Sequence, residues 1–163
     1  MNKPNWLQIA EKEVGTKEIA GDQDNPRIVE YAQATSLRAS DDETPWCSSF
    51  VNWCVMQAGI TRTNSAAARS WCTWGRSLGA PALGCVVVLS RPPNPAQGHV
   101  AFCAGLVGTD RIALLGGNQG NAVSVATYPK SRVVAYRWPT SIEPPLGGCP
   151  VYTGQASGEA STT

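Results

Sequence analysis

Thr44-Pro45-Trp46-Cys47-Ser48-Ser49-Phe50-Val51-Asn52-Trp53-Cys54 is the stretch that decides the fold. It predicts the start of a buried helix that presents Cys47 in its first turn. Thr44 is the expected N-cap, because its hydroxyl can accept from an orphan backbone N–H. Pro45 is expected at the first helical position, where a missing N–H costs nothing. Cys47, Phe50, Val51, Cys54, Val55 and Ala58 then share one apolar helical face, and Gly59 supplies the stop. Cys47 lies near the positive end of the helix dipole, which favours the nucleophilic thiolate. With an imidazolium partner, its pKa is expected well below the ordinary thiol value. Cys54 and Cys72 are expected to be small core hydrophobes.

On the N-terminal side, Pro4 to Val14 predicts a helix with Trp6, Ile9, Ala10 and Val14 inward and Gly15 as its end. Lys17 to Asp24 is a polar loop. Asn25-Pro26 opens a second short helix with Ile28, Val29 and Ala32 inward. Thr35 to Glu43 is a loop ending in Asp41, Asp42 and Glu43. On the C-terminal side, Asn64 or Ser65 is expected to cap a fourth helix that runs to about Trp74.

The character then changes. Cys85-Val86-Val87-Val88-Leu89 is β-branched and bounded by Gly84 and Arg91-Pro92-Pro93. His99–Val107, Arg111–Leu115, Ala122–Thr127 and Val133–Trp138 complete an expected antiparallel meander of about five strands. Helices first and strands second predict an α+β domain, with helices packed on one face of the sheet. The expected domain spans residues 1–139. Residues 140–163, rich in Pro, Gly, Ser and Thr, are expected to form a flexible tail, with Cys149 exposed or paired elsewhere.

The 163 residues suffice for one domain with a proper core, and a net charge of +1 gives no electrostatic case for nucleic acid. No apolar run approaches membrane-spanning length, and Met1 to Trp6 holds no signal-type stretch. Synthesis in the cytoplasm is therefore expected, with any outside action following another route of exit. The six cysteines show no C-x-x-C spacing and only one histidine accompanies them, so neither a zinc site nor another cofactor is expected.

That histidine, His99, shares strand parity with Ala101 and Cys103. Those small neighbours would let a helix approach closely. If the Cys47 helix packs there, thiol and imidazole meet as nucleophile and base. A base of this kind needs an orienting group on its other ring nitrogen. Gly116-Gly117-Asn118-Gln119-Gly120 follows the third strand. Ile112, Leu114, Gly116 and Asn118 share one parity, which makes Asn118 the candidate; Gln119 is the competitor and would face the other way. The backbone N–H of Cys47 is the expected oxyanion donor, with the second donor unassigned. Trp46, Asp42, Gln97 and Gln119 are the candidate substrate contacts. The acids Asp41, Asp42 and Glu43 read first as a solvated loop and second as recognition of a cationic group.

Trp46-Cys47-Ser48-Ser49-Phe50-Val51, then Gly98-His99-Val100, then Gly116-Gly117-Asn118-Gln119, in that order, resemble the bacterial cell-wall cysteine peptidases of CHAP and NlpC type. The pattern is most similar to a CHAP-like group of phage lysis proteins and secreted amidase effectors. The similarity extends through Asn25 to Tyr31, Ser65 to Trp71 and Tyr128 to Arg132. The resemblance implies a papain-like fold and amide hydrolysis in peptidoglycan. Cys47 would be the nucleophile, His99 the base and Asn118 the orienting residue, although many members carry Glu or Asp in that third role. It also implies action in the periplasm or wall, either as an endolysin or as an injected effector with an immunity protein as partner. The chain would be a monomer, and targeting would come from the catalytic domain itself. The bond cut is either the N-acetylmuramoyl–L-alanine amide or a stem-peptide bond, the latter preferred. A non-enzymatic wall-binding protein and a protein-directed cysteine protease are the alternatives.

Overall fold

A computed structural model describes residues 3–21, 23–42 and 45–158. Three α-helices precede the sheet: α1 (Asn5–Lys12), α2 (Pro26–Ala32) and α3 (Cys47–Gln57). In α1, Trp6, Leu7 and Ala10 are the buried stripe. The helix stops at Lys12, so Val14, expected inward, stands half exposed beyond it. In α2 the cap-then-proline reading holds, because the Asn25 side chain accepts from Arg27 N–H at 2.9 Å and Pro26 opens the helix.

Helix α3 is buried continuously from Ser48 to Val55. A helix enclosed on all sides must satisfy its own polar side chains. Ser48 Oγ donates to Ser65 O (2.7 Å) and accepts from Trp71 Nε1 (2.9 Å). Asn52 donates to Ser65 O and accepts from Asn64 N–H (2.8 Å). These bonds explain a correction. Asn64 and Ser65 are committed to α3 and cannot open a helix, so only a 3-10 turn forms, at Ala68–Thr73. At the end of α3, Gly59 N–H bonds Met56 O and Ile60 N–H bonds Val55 O. Gly59 has φ +76°, which closes the helix as its position suggested.

Six strands follow: β1 (Arg76–Ser77), β2 (Val86–Ser90), β3 (Gly98–Val107), β4 (Arg111–Gly116), β5 (Ser124–Pro129) and β6 (Val133–Trp138). They form one antiparallel sheet in the order β1-β6-β2-β3-β4-β5. The α+β class stands, and the architecture agrees with a papain-like domain. The meander does not extend to β6, which pairs with β2 rather than β5. A flat sheet would separate β5 from β6 by about 19 Å, at roughly 4.8 Å per strand. The chain crosses from Pro129 to Val133 through a 3-10 turn too short to span that, so the sheet is curled. Arg132 fastens the crossing by donating to Ser90 O at 2.9 Å.

Candidate active site

Phe50 N–H bonds Trp46 O at 3.0 Å, the first intrahelical bond. Trp46 is therefore the N-cap and Cys47 the first helical residue. Pro45, expected inside the helix, precedes the cap, and Thr44 lies outside the described residues. Cys47 thus sits closer to the positive helix end than expected, and it keeps partial solvent access.

Helix α3 crosses β3, but not over the face expected. Phe50 meets Phe102 with ring centroids 6.5 Å apart. The helix therefore covers the parity of Val100 and Phe102, and His99, Ala101 and Cys103 point into the curl of the sheet. Thiol and imidazole still come into one neighbourhood, because Cys47 lies where β4 has ended. There the backbone N–H of Val100, the residue after His99, lies near enough to the sulfur to favour its thiolate. Gly117 permits this approach: a Cβ on it would lie 2.7 Å from Phe50 Cβ and from the Trp46 ring.

His99 is buried, at 1% exposure, against Tyr128 with centroids 5.8 Å apart. Its Nε2 lies 3.0 Å from Gln119 Oε1. The amide orientation is fixed from the other side, since Gln119 Nε2 donates to Leu114 O (3.2 Å) and Ser124 O (2.8 Å). An amide oxygen can only accept, so His99 Nε2–H donates to it and the neutral ring carries its lone pair on Nδ1. Gln119, not Asn118, is the residue on the imidazole. Extrapolating strand parity to Asn118 fails because β4 ends at Gly116. Asn118 then adopts φ +57° and turns the chain. Asn118 is itself buried, at 2% exposure.

The electrostatics also differ from expectation. Burial pushes the Cys47 thiol up; the N–H groups of Val100 and Ser48 and the charge of Arg91 oppose it without reversing it. Burial pushes His99 down to about 4; the bond to Gln119 opposes this, and the cations Arg132 and Arg91 add to it. Desolvation disfavours both charged forms, so the resting pair is neutral thiol and neutral imidazole rather than an ion pair. Arg91 was passed over in the sequence, where Arg91-Pro92-Pro93 signals only a strand end.

The candidate substrate contacts are dispersed. Trp46 is 1% exposed, stacks on Tyr31 at 5.8 Å, and donates from Nε1 to Glu18 at 2.9 Å, so it is a core residue. Asp42 is fully buried; its Oδ2 accepts from Ile19 N–H and Asn25 N–H, both at 2.8 Å. Through Oδ2 it clamps the Ile19–Asn25 loop and it is not solvated, while its Oδ1 has no hydrogen-bond partner among the described residues. Gln97 is exposed on the turn before β3, where its carbonyl accepts from Arg69 Nε at 3.0 Å. Gln119 belongs to the imidazole. Among the described residues no group of three or more His, Cys, Asp or Glu could hold a metal, and no helix is long and apolar enough to cross a membrane.

Compared with known families, residues 39–118 match the family model of the CHAP domain, a span that contains Cys47, His99 and Asn118 and ends one residue before Gln119. No curated protein matches the chain.

Proposed function

From the match of residues 39–118 to the CHAP-domain family model we propose that the chain is a peptidoglycan hydrolase cutting an amide bond with Cys47 as nucleophile. His99 Nδ1 takes the thiol proton as the sulfur attacks the carbonyl, so charge develops only during the reaction. The proton then goes to the leaving amine, and water releases the thioester. Gln119 holds the imidazole tautomer, and the Cys47 backbone N–H at the helix end stabilises the oxyanion. The observation that supports this reading is the 3.0 Å contact from His99 Nε2 to Gln119 Oε1, which leaves Nδ1 as the basic nitrogen of the ring.

The preferred bond is in the stem peptide, with the N-acetylmuramoyl–L-alanine amide as the other option in the same reading. The setting is the wall or periplasm, reached by phage lysis or by injection; an injected protein would be neutralised by an immunity partner. The experiment is incubation of the protein with purified sacculi, followed by mass spectrometry of released fragments. New amino termini without new reducing sugars are expected, and they vanish in Cys47→Ala. Absence of any released fragment from the wild type would favour a wall-binding role on the same fold.

A further inference from the structure

The chain after β6 doubles back over the sheet instead of forming the flexible tail expected there. Leu106 N–H donates to Pro150 O and Tyr152 N–H to Leu106 O, both at 2.8 Å. Farther on, Thr127 N–H bonds Ser157 O and Ser157 N–H bonds Val125 O, both at 3.1 Å. The docking is built into β3. Its register shifts between Cys103 and Gly105, and Gly105 has φ +148°. A Cβ at Gly105 would stand 2.8 Å from Tyr152 N, so only glycine admits the strap so close. The strap forms one wall of a cleft of about 910 Å³, with Leu7 and Glu11 of α1 among the residues facing it.

At the root of this strap two thiols meet: Cys149 Sγ lies 3.4 Å from Cys103 Sγ. Cys103 is rigidly held and fully buried, with its N–H on Cys85 O (2.9 Å) and its carbonyl on Gly84 N–H (2.8 Å). Cys149 is only partly buried. We propose that Cys103 and Cys149 are a disulfide site, closed by a small-molecule disulfide and covalently fastening the C-terminal strap to β3. Cys149 thiolate attacks the oxidant, forming a mixed disulfide and expelling one reduced thiol. Cys103 thiolate then attacks the Cys149 sulfur and expels the second. The protein loses two hydrogens, and the oxidant is reduced to two thiols. Cys85 also adjoins Cys103, but it is fully buried and cannot meet an oxidant first. Contact with the Cys103 sulfur and then burial hold the Cys149 thiol protonated, so closure is slow at neutral pH and accelerates with alkalinity.

The test uses the full chain carrying Cys47→Ala, so that this thiol does not confuse the readout. The native protein is incubated with oxidised glutathione at mildly alkaline pH, alkylated, digested without reduction and mapped by mass spectrometry. A Cys103–Cys149 linked peptide is expected, with Tm on the order of 10 °C above the reduced form because a long loop is closed. The gap should vanish in Cys149→Ser. Cys103→Ser, which lacks the resolving thiol, should accumulate glutathione on Cys149. A Cys85–Cys103 link, persistent glutathione on Cys149 when Cys103 is intact, or unmodified thiols after prolonged alkaline incubation would each overturn the assignment.

Discussion

Gln119 and Asn118 are adjacent, yet they do different work. Gln119 spends its amide oxygen on His99 and its amide nitrogen on two carbonyls, so Gln119→Ala removes the ring's orienter and strands buried partners. We expect kcat to fall by about 10²-fold or more, with a residual rate because thiol and base remain. Asn118→Gly keeps the φ +57° turn and should lose less. Steady-state release of wall fragments checks the ranking, and a larger loss in Asn118→Gly would return the orienting role to Asn118. The pH dependence follows from the same pair. A base with its pKa near 4 stays neutral through mildly acidic pH, so the acid limb of kcat/KM should lie near 4 rather than 6.5. The raised Cys47 thiol should react with iodoacetamide only as pH climbs past the ordinary thiol range. Rapid alkylation of Cys47 at pH 6 would show an ion pair instead.

Helix α3 and β3 form the element pair on which the site depends, and Gly117 is their spacer. Gly117→Ala would put a methyl 2.7 Å from Phe50 Cβ and the Trp46 ring, forcing the start of α3 away from Val100. Overpacking of this kind costs about 1–3 kcal/mol. Here it should also lower kcat, because the displaced helix end carries Cys47. Urea denaturation alongside activity assays separates the two; unchanged activity in a destabilised variant would mean the sulfur does not depend on this contact. Asn52→Ala acts at the same scale without touching the site. It takes the acceptor from the part-buried Asn64 N–H, while the Ser65 carbonyl keeps Ser48 Oγ, and should destabilise by about 1 kcal/mol or more.

Across the whole molecule, the neutral burial of His99 ties stability to pH. The folded pKa, about 4, lies below the unfolded value of 6.5. The stability of the neutral form is complete above 6.5. As pH falls, the unfolded chain binds a proton that the folded chain refuses, and stability is lost progressively until pH reaches about 4. The loss attributable to His99 is about 3 kcal/mol over that window. It should appear as the difference between the denaturation free energies of wild type and His99→Gln, in which the carboxylates common to both cancel. A difference that stays flat from pH 7 to 4 would mean that His99 titrates normally.

The sequence by itself determined what depends on local chemistry. The α2 cap, the Gly59 stop, the β-branched core of β2, and the helices-then-sheet order are all written in neighbouring residues. So is the recurrence of Cys47, a lone histidine and a polar pair in fixed order. Tertiary structure decided whatever depends on where separate elements meet. Asn64 and Ser65 form no helix because Asn52 and Ser48 claim their backbone groups. β6 leaves the meander because the curl of the sheet lets a three-residue 3-10 turn carry the chain from the end of β5 to a place beside β2. Gln119 displaces Asn118 because the end of β4 breaks the alternation from which the side was inferred. The neutral resting pair, finally, reflects burial: dipole and charge neighbours can be guessed from sequence order, but desolvation is set by everything packed around Cys47 and His99.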